Sequence, residues 1–308
     1  MADTFTTTIF ETTYKDDFKE TDNYHRILFN SGRALQAREL TQLQTIIQEE
    51  IERFGTNIFR EGGKVSGGNI TLNPREFIKL ATGALPATAS TVVGQTFRDG
   101  DGIEVKVLKA VEATGSDPDT IYVEYIDTLS GTAGTDQVRC ANGGTLTHIA
   151  GTLDPLTIAS SAATGVGQEA AIQQGSFYVQ GHFVFAAAQS AFVSKYDTSS
   201  TKDLGFKLVQ DIVKETDDDD LYDNQGAAPN LAAPGAHRYR ISLTLTTRDQ
   251  LAASDNFVFL SKIVAGKIGK EVTTDNSYNI YIRKGKEVLP WKKFNSNMAI
   301  SVEYDLEY

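Results

Sequence analysis

The chain has 308 residues, 40% of them apolar, with a formal net charge of −11 and a pI near 4.9. That balance argues against nucleic-acid binding by phosphate neutralisation, which needs Lys and Arg in surplus on one face. One cysteine, Cys140, excludes an intramolecular disulfide, and no run approaches the roughly 18 apolar residues of a membrane span.

Residues 1–30 are polar and Thr-rich, with Phe5, Phe10, Tyr14, Phe18, Tyr24 and Phe29 spread along them at no helical period. The pattern predicts an extended arm that finds burial against another surface. Its first residues lack the basic and apolar regions of a signal peptide, so the chain is expected to stay in the cytoplasm unless it leaves as part of a particle.

From Leu35 to Phe54, Leu40, Leu43, Ile47 and Phe54 recur at helical steps, reinforced by Ile46 and Ile51, with Gln and Glu mostly opposite. Asn30-Ser31-Gly32 supplies capping chemistry before this helix, and Gly55 is expected to stop it. Two arrangements fit: a core helix of its own domain, or a short coiled coil between copies. The Gln-rich outer face favours the second, since it can hydrogen-bond symmetry mates.

After the helix the texture turns to strands. Gly62-Gly63 and Gly67-Gly68 bracket a short one, and alternation follows at 70–72, 103–107 and 121–125. A Gly/Thr/Ala-rich stretch from Leu129 to Gly167, of weak periodicity, reads as an exposed insertion of short strands and loops. Phe177-Tyr178-Val179, Gln180-Gly181 and His182-Phe183-Val184-Phe185 predict a tight hairpin. Further strands are expected at 239–245, 257–264 and 278–282, with a turn at Lys284-Gly285-Lys286, and a long acidic loop at 216–237. The expected fold is α+β, mostly β: an extended N-terminal arm, one long helix, then a mainly antiparallel β body in two or more subdomains. Its parts are 1–60 (arm and assembly helix), 61–196 (β domain with the insertion) and 197–308 (C-terminal β domain).

Chemistry is sparse. His25, His148, His182 and His237 show no ligand spacing, and there is no cysteine pair for zinc. Asp217–Asp220 lacks the alternating acids and terminal Glu of a calcium loop and reads as a solvated run. No Gly-x-Ser-x-Gly elbow or phosphate-cradling loop occurs. The residues thus predict no catalytic, metal-binding or cofactor-binding site. Arg283, Lys284 and Lys286 read as a hairpin surface.

The segment Tyr24-His25-Arg26-Ile27-Leu28-Phe29-Asn30-Ser31-Gly32-Arg33-Ala34-Leu35-Gln36-Ala37-Arg38-Glu39-Leu40-Thr41-Gln42-Leu43-Gln44 resembles the N-terminal part of a tailed-phage virion family. That family is known as a domain of unknown function in baseplate and tail-fibre-associated proteins, cyanophage ones included. Gly175–Val184 and Asp211–Leu245 resemble its hairpin and its acidic loop; the last third departs from it. Larger relatives extend further, so a chain ending at Tyr308 is expected to be a minimal assembly module. The resemblance implies a non-enzymatic structural subunit of a phage tail baseplate or tail-fibre attachment apparatus, located in the virion. Its implied partners are itself, with a trimer preferred, and other tail or baseplate proteins, without nucleic acid or membrane insertion. The residues expected at the assembly interface are Phe5, Phe10, Phe18, Phe29, Leu40, Leu43, Ile47 and Phe54. The alternative is a host-surface polysaccharide-binding module using aromatics near Tyr222 or Trp291.

Overall fold

The computed structural model describes residues 13–115, 117–127, 139–223, 230–272, 281–284 and 287–290. Behind the arm comes one long helix, α1 (Ala37–Ile58), followed among the described residues by strands, turns and a few 3-10 helices of three or four residues. The strands of the first half are β1 (Gly63–Gly67), β2 (Ile70–Lys79), β3 (Thr96–Arg98), β4 (Glu104–Val111), β5 (Thr120–Asp127), β6 (Thr145–His148), β7 (Leu156–Thr157) and β8 (Thr164–Ile172). Next are β9 (Gly175–Val179), β10 (His182–Ala186), β11 (Gln189–Ser194), β12 (Lys202–Val213), β13 (Tyr222–Asp223) and β14 (Asn230–Pro234). The series ends with β15 (Arg238–Thr247), β16 (Asn256–Val264), β17 (Lys267–Glu271), β18 (Tyr281–Lys284) and β19 (Glu287–Pro290).

The strands pair antiparallel throughout the described residues. They form an eight-stranded sheet, β11-β8-β2-β5-β4-β3-β6-β7, a four-stranded sheet, β15-β12-β16-β17, and a three-stranded sheet, β1-β9-β10. Hairpins β13-β14 and β18-β19 complete the set. The expected fold class is what the structure shows. Strand β2 carries Pro74, which lacks the N–H a ladder needs. It pairs with β8 from Ile70 to Ile78 but with β5 only from Glu76 onward, so Pro74 sits where the β5 side is still free.

Two cores result. The first gathers Ile78, Phe97, Val105, Val107, Ile121, Leu146, Leu156 and Ile158. The second joins Phe177 and Val179 to Leu204, Phe206, Leu245, Val258 and Ile263. In it the Phe177 and Phe206 rings meet edge to face, 4.9 Å between centroids. A third, smaller cluster of Phe77, Tyr122 and Phe192 lies on the other face of the eight-stranded sheet: Tyr122 stacks on Phe192 at 4.0 Å, and Lys109 Nζ lies 4.6 Å from the centre of the Phe192 ring.

Two local expectations change, and a third lies partly outside the described residues. The stretch 129–167 is no exposed insertion where it is described: Cys140, Leu146, Leu156, Ile158 and Ala163 are all buried in the first core. Small residues there let short strands pack closely, which weak periodicity concealed. The loop expected at 216–237 contains β13 and β14. Of the strand expected at 278–282, residues 278–280 lie outside the described residues, and β18 begins at Tyr281. Across the expected turn at 284–286, Lys284 pairs with Glu287.

Removing the Phe206 ring should leave a void between the three- and four-stranded sheets. Phe206→Ala is expected to cost about 3–5 kcal/mol, read as a lower urea midpoint at unchanged slope. A midpoint equal to that of the parent would mean that the second core does not carry the fold.

Candidate assembly face

The helix α1 begins with a capping box. The Gln36 side chain accepts from the backbone N–H of Glu39, and Glu39 Oε2 accepts from Gln36 N at 3.0 Å. Asn30-Ser31-Gly32 makes a turn upstream, with Arg33 N donating to Asn30 O at 3.3 Å, but it does not cap the helix. At the other end Gly55 does not stop the helix, which runs to Ile58. Gly55 is buried, and a Cβ there would lie 2.5 Å from Cε2 of Tyr178. Glycine in a helix interior costs about 1 kcal/mol against alanine. Here it opens a slot for the β9 tyrosine instead of ending the element.

Tyr178 fills that slot. Its hydroxyl donates to Glu52 O at 3.1 Å and lies 2.8 Å from Thr56 Oγ1, while Phe59 stacks on its ring, 5.7 Å between centroids. One turn earlier, Gln48 Nε2 donates to Gly181 O at 3.0 Å, in the hairpin turn that joins β9 to β10. Gly181 has φ +80°, and a Cβ on it would strike the Glu52 carboxylate. Burial and then the neighbouring carboxylates Glu49 and Glu61 push the Glu52 pKa upward.

The arm covers a second side of the helix. Asp16 accepts from Thr45 Oγ1, Arg38 pairs with Asp17 at 3.1 Å, and Arg53 pairs with Glu20 at 2.9 Å. Phe18, Tyr24 and Ile46 line one crevice between arm and helix, and Ile46 is only 4% exposed. Farther along the arm His25 Nδ1 stands 3.4 Å from Glu50. At its start Tyr14 hydrogen-bonds His237 Nδ1 at 2.6 Å, and His237 Nε2 lies 3.1 Å from Glu215. The described arm therefore packs on its own helix and β body.

With hairpin and arm occupying the polar sides, the apolar stripe of α1 points outward. Leu40, Ile47, Ile51, Phe54 and Ile58 are all exposed, Ile47 at 52% and Phe54 at 65%, and Leu43 is half-buried beside them. Only the part of the polar face around Gln48 and Glu52 departs from what was expected. Gln48 and Glu52 face the chain's own body, so they are not the surface offered to other copies. Of the other residues expected at the interface, Phe18 is half-buried against the chain itself, Phe29 is exposed, and Phe5 and Phe10 lie outside the described residues. The structure thus brings Leu40, Leu43, Ile47 and Phe54 onto one face. Sequence reasoning missed Ile58, beyond the expected helix end, and the exposed Phe183 and Phe185 on edge strand β10. Their alternation with inward Val184 was the available signal.

Elsewhere, residues 98–101 and 141–149 line an open groove of about 710 Å³ that includes Arg98, Asp99, Asp101, Thr145, Thr147 and His148. His148 is buried and fully engaged: Nδ1 accepts from Thr152 N and Leu153 N, each at 3.2 Å, which places the proton on Nε2 toward Gln95 Oε1. Cys140 is buried, and desolvation and then Asp99 push its thiol pKa up to about 12. Among the described residues no three His, Cys, Asp or Glu groups gather as a metal site, and no helix is long and apolar enough to cross a membrane. Tyr222 is half-buried in β13, and Trp291 lies outside the described residues.

A family model described as "Domain of unknown function (DUF4815)" matches residues 12–88 and 159–282. The first stretch holds the arm, α1 and β2; the second holds the hairpin and the four-stranded sheet. No curated protein and no solved structure matches the chain.

Two measurements probe the seat of the helix. Gly55→Ala should displace Tyr178 and lower stability by about 1–3 kcal/mol, seen in the near-ultraviolet dichroism of tyrosine as well as the urea midpoint. The pH dependence follows from Glu52. Its folded pKa is raised, so the native state holds the proton more tightly than the unfolded chain does. The contribution of Glu52 to stability should therefore be full at pH below its unfolded pKa and be lost as pH climbs through the folded pKa. Glu52→Gln should raise the midpoint at pH 7.5 and flatten that slope; an unchanged slope would exclude Glu52 as its source.

Proposed function

The chain belongs to the DUF4815 family, and we propose that it acts as a non-enzymatic structural subunit of a phage tail baseplate or tail-fibre attachment apparatus. It assembles there with copies of itself and docks neighbouring virion proteins. The observation that carries this reading is the outward stripe of α1. A helix that turns polar residues to its own body and its apolar stripe to solvent lacks a covering element among the described residues. Each large side chain taken from full exposure to full burial contributes roughly 1.5–3 kcal/mol before association costs, and less here because each is already partly covered. The resemblance of residues 24–44 to a tail-protein segment supports the virion setting, and those residues fall within the matched stretch 12–88. In this reading the chain carries no cofactor, and its location is the virion, after synthesis in the host cytoplasm.

Ile47 and Phe54 are exposed, so charging them should spare the fold and block assembly. The parent is expected to give a multiple of 33.6 kDa by light scattering after size exclusion. Ile47→Glu with Phe54→Glu should give the single-chain mass at an unchanged melting temperature. A parent that is itself a single chain at every concentration would sink the self-association reading.

A further inference from the structure

The outer edge of β10 is left unpaired by the rest of the fold. Gln180 and Gly181, with φ 46° and 80°, form the two-residue turn of the β9–β10 hairpin. Val179 and His182 are then a hydrogen-bonded pair, and pairing alternates from there. Phe183 stands opposite Tyr178, whose carbonyl turns the other way and accepts from Gly62 N at 2.9 Å. Phe183 and Phe185 therefore direct their N–H and C=O groups away from β9, and no strand among the described residues pairs with that edge. The nearby strand β15 meets β10 through the His182 and Tyr239 rings and the second core instead.

Two comparable edges are guarded. Strand β1, at the opposite margin of the same sheet, carries Lys64 and a register shift between Lys64 and Ser66. The edge of β15 is closed by Gln189, whose amide donates to Leu243 O at 3.1 Å and accepts from Leu245 N at 2.7 Å. Strand β10 has no lysine, proline or bulge, and the two residues with outward backbone groups are exposed phenylalanines.

An unpaired strand edge accepts one kind of occupant, an extended chain. The strand itself indicates which. Phe183-Val184-Phe185 reads the same in both directions, so a second copy set antiparallel about a twofold axis at Val184 places Phe183 opposite Phe185 at both ends. Each such pair exchanges ladder hydrogen bonds and brings two rings together on one face of the sheet. That face also holds α1: Phe59, just past the helix, packs edge to face on Phe183 at 5.4 Å, and Phe185 follows on the same side. We propose that two copies of this chain join β10 to β10 across that axis, making one continuous sheet with both α1 helices on the same side. This rests on the self-association reading and adds the strand edge to it. A short ladder is marginal alone, so the ladder and the exposed helix stripe are both needed to hold the copies together.

Amide hydrogen exchange reads the edge directly. In the parent, the amides of Phe183 and Phe185 should exchange fast in the single chain and slow as rising concentration drives assembly. Phe185→Pro removes an N–H that points away from β9, so it should keep the parent's melting temperature and give the single-chain mass by light scattering. If that variant unfolds, the exchange result alone decides. Three results overturn the edge pairing and leave self-association standing: equal exchange at 183 and 185 in oligomer and single chain, a folded Phe185→Pro chain that assembles like the parent, or a parent of three chains. A parent that is a single chain at every concentration overturns both.

Discussion

The arrangement of the whole N-terminal third depends on one contact, the ring of Tyr178 set into the helix at Gly55. No other residue at position 55 lets a six-membered ring approach the helix so closely, and the tyrosine hydroxyl then bonds to Glu52 O and Thr56. Once that ring is seated, the rotation of α1 about its axis is set. Gln48 and Glu52 come to lie over the β9–β10 turn, and Ile46 comes under the arm. Every other outcome at this end of the molecule, including which residues solvent meets, follows from that rotation.

The cost of turning polar residues toward the body and arm is contained where they have partners. Gln48 donates to Gly181, Arg53 meets Glu20, and Thr45 meets Asp16. Polar groups that are paired at a half-buried boundary are nearly neutral in stability, whereas unpaired ones are costly. The arm contributes by the same logic, supplying carboxylates to a helix that would otherwise hold Arg38 and Arg53 in water. Helix, arm and hairpin are thus held together by these polar contacts and by the packing of Tyr178, Phe59 and Ile46, with the Leu40–Ile58 stripe left exposed.

The element types were legible from the residues. Alternation located β4, β5, β15 and β16, and Gln180-Gly181 marked a turn whose two positive φ angles the structure displays. What periodicity leaves undefined is which side of an amphipathic helix is inside. A hydrophobic stripe implies only that something covers it, and the sequence holds no local mark of whether that cover lies in the same chain. Gly55 misled for a related reason. Its role depends on Tyr178, far away in sequence, and a glycine near a helix end is usually a stop. The first core was hidden because Cys140, Ala163 and short segments such as Leu156–Thr157 give no period to detect.

The eight-stranded sheet runs without a break from strands inside the family match into strands outside it. Residues 89–158, between the two matched stretches, hold β3 to β7 and most of the first core, and they join the remainder through β5 against β2. A sheet lengthens by adding a ladder to a free edge, and the existing ladders need not change register to admit it. The β2 edge is thus where a sheet of this kind can accept or lack the 89–158 lobe with the β2–β8 ladder unchanged. Length changes in such a family would be absorbed at that margin, and the seat of α1 on the β9–β10 hairpin, which lies within the matched stretches, would be left as it is.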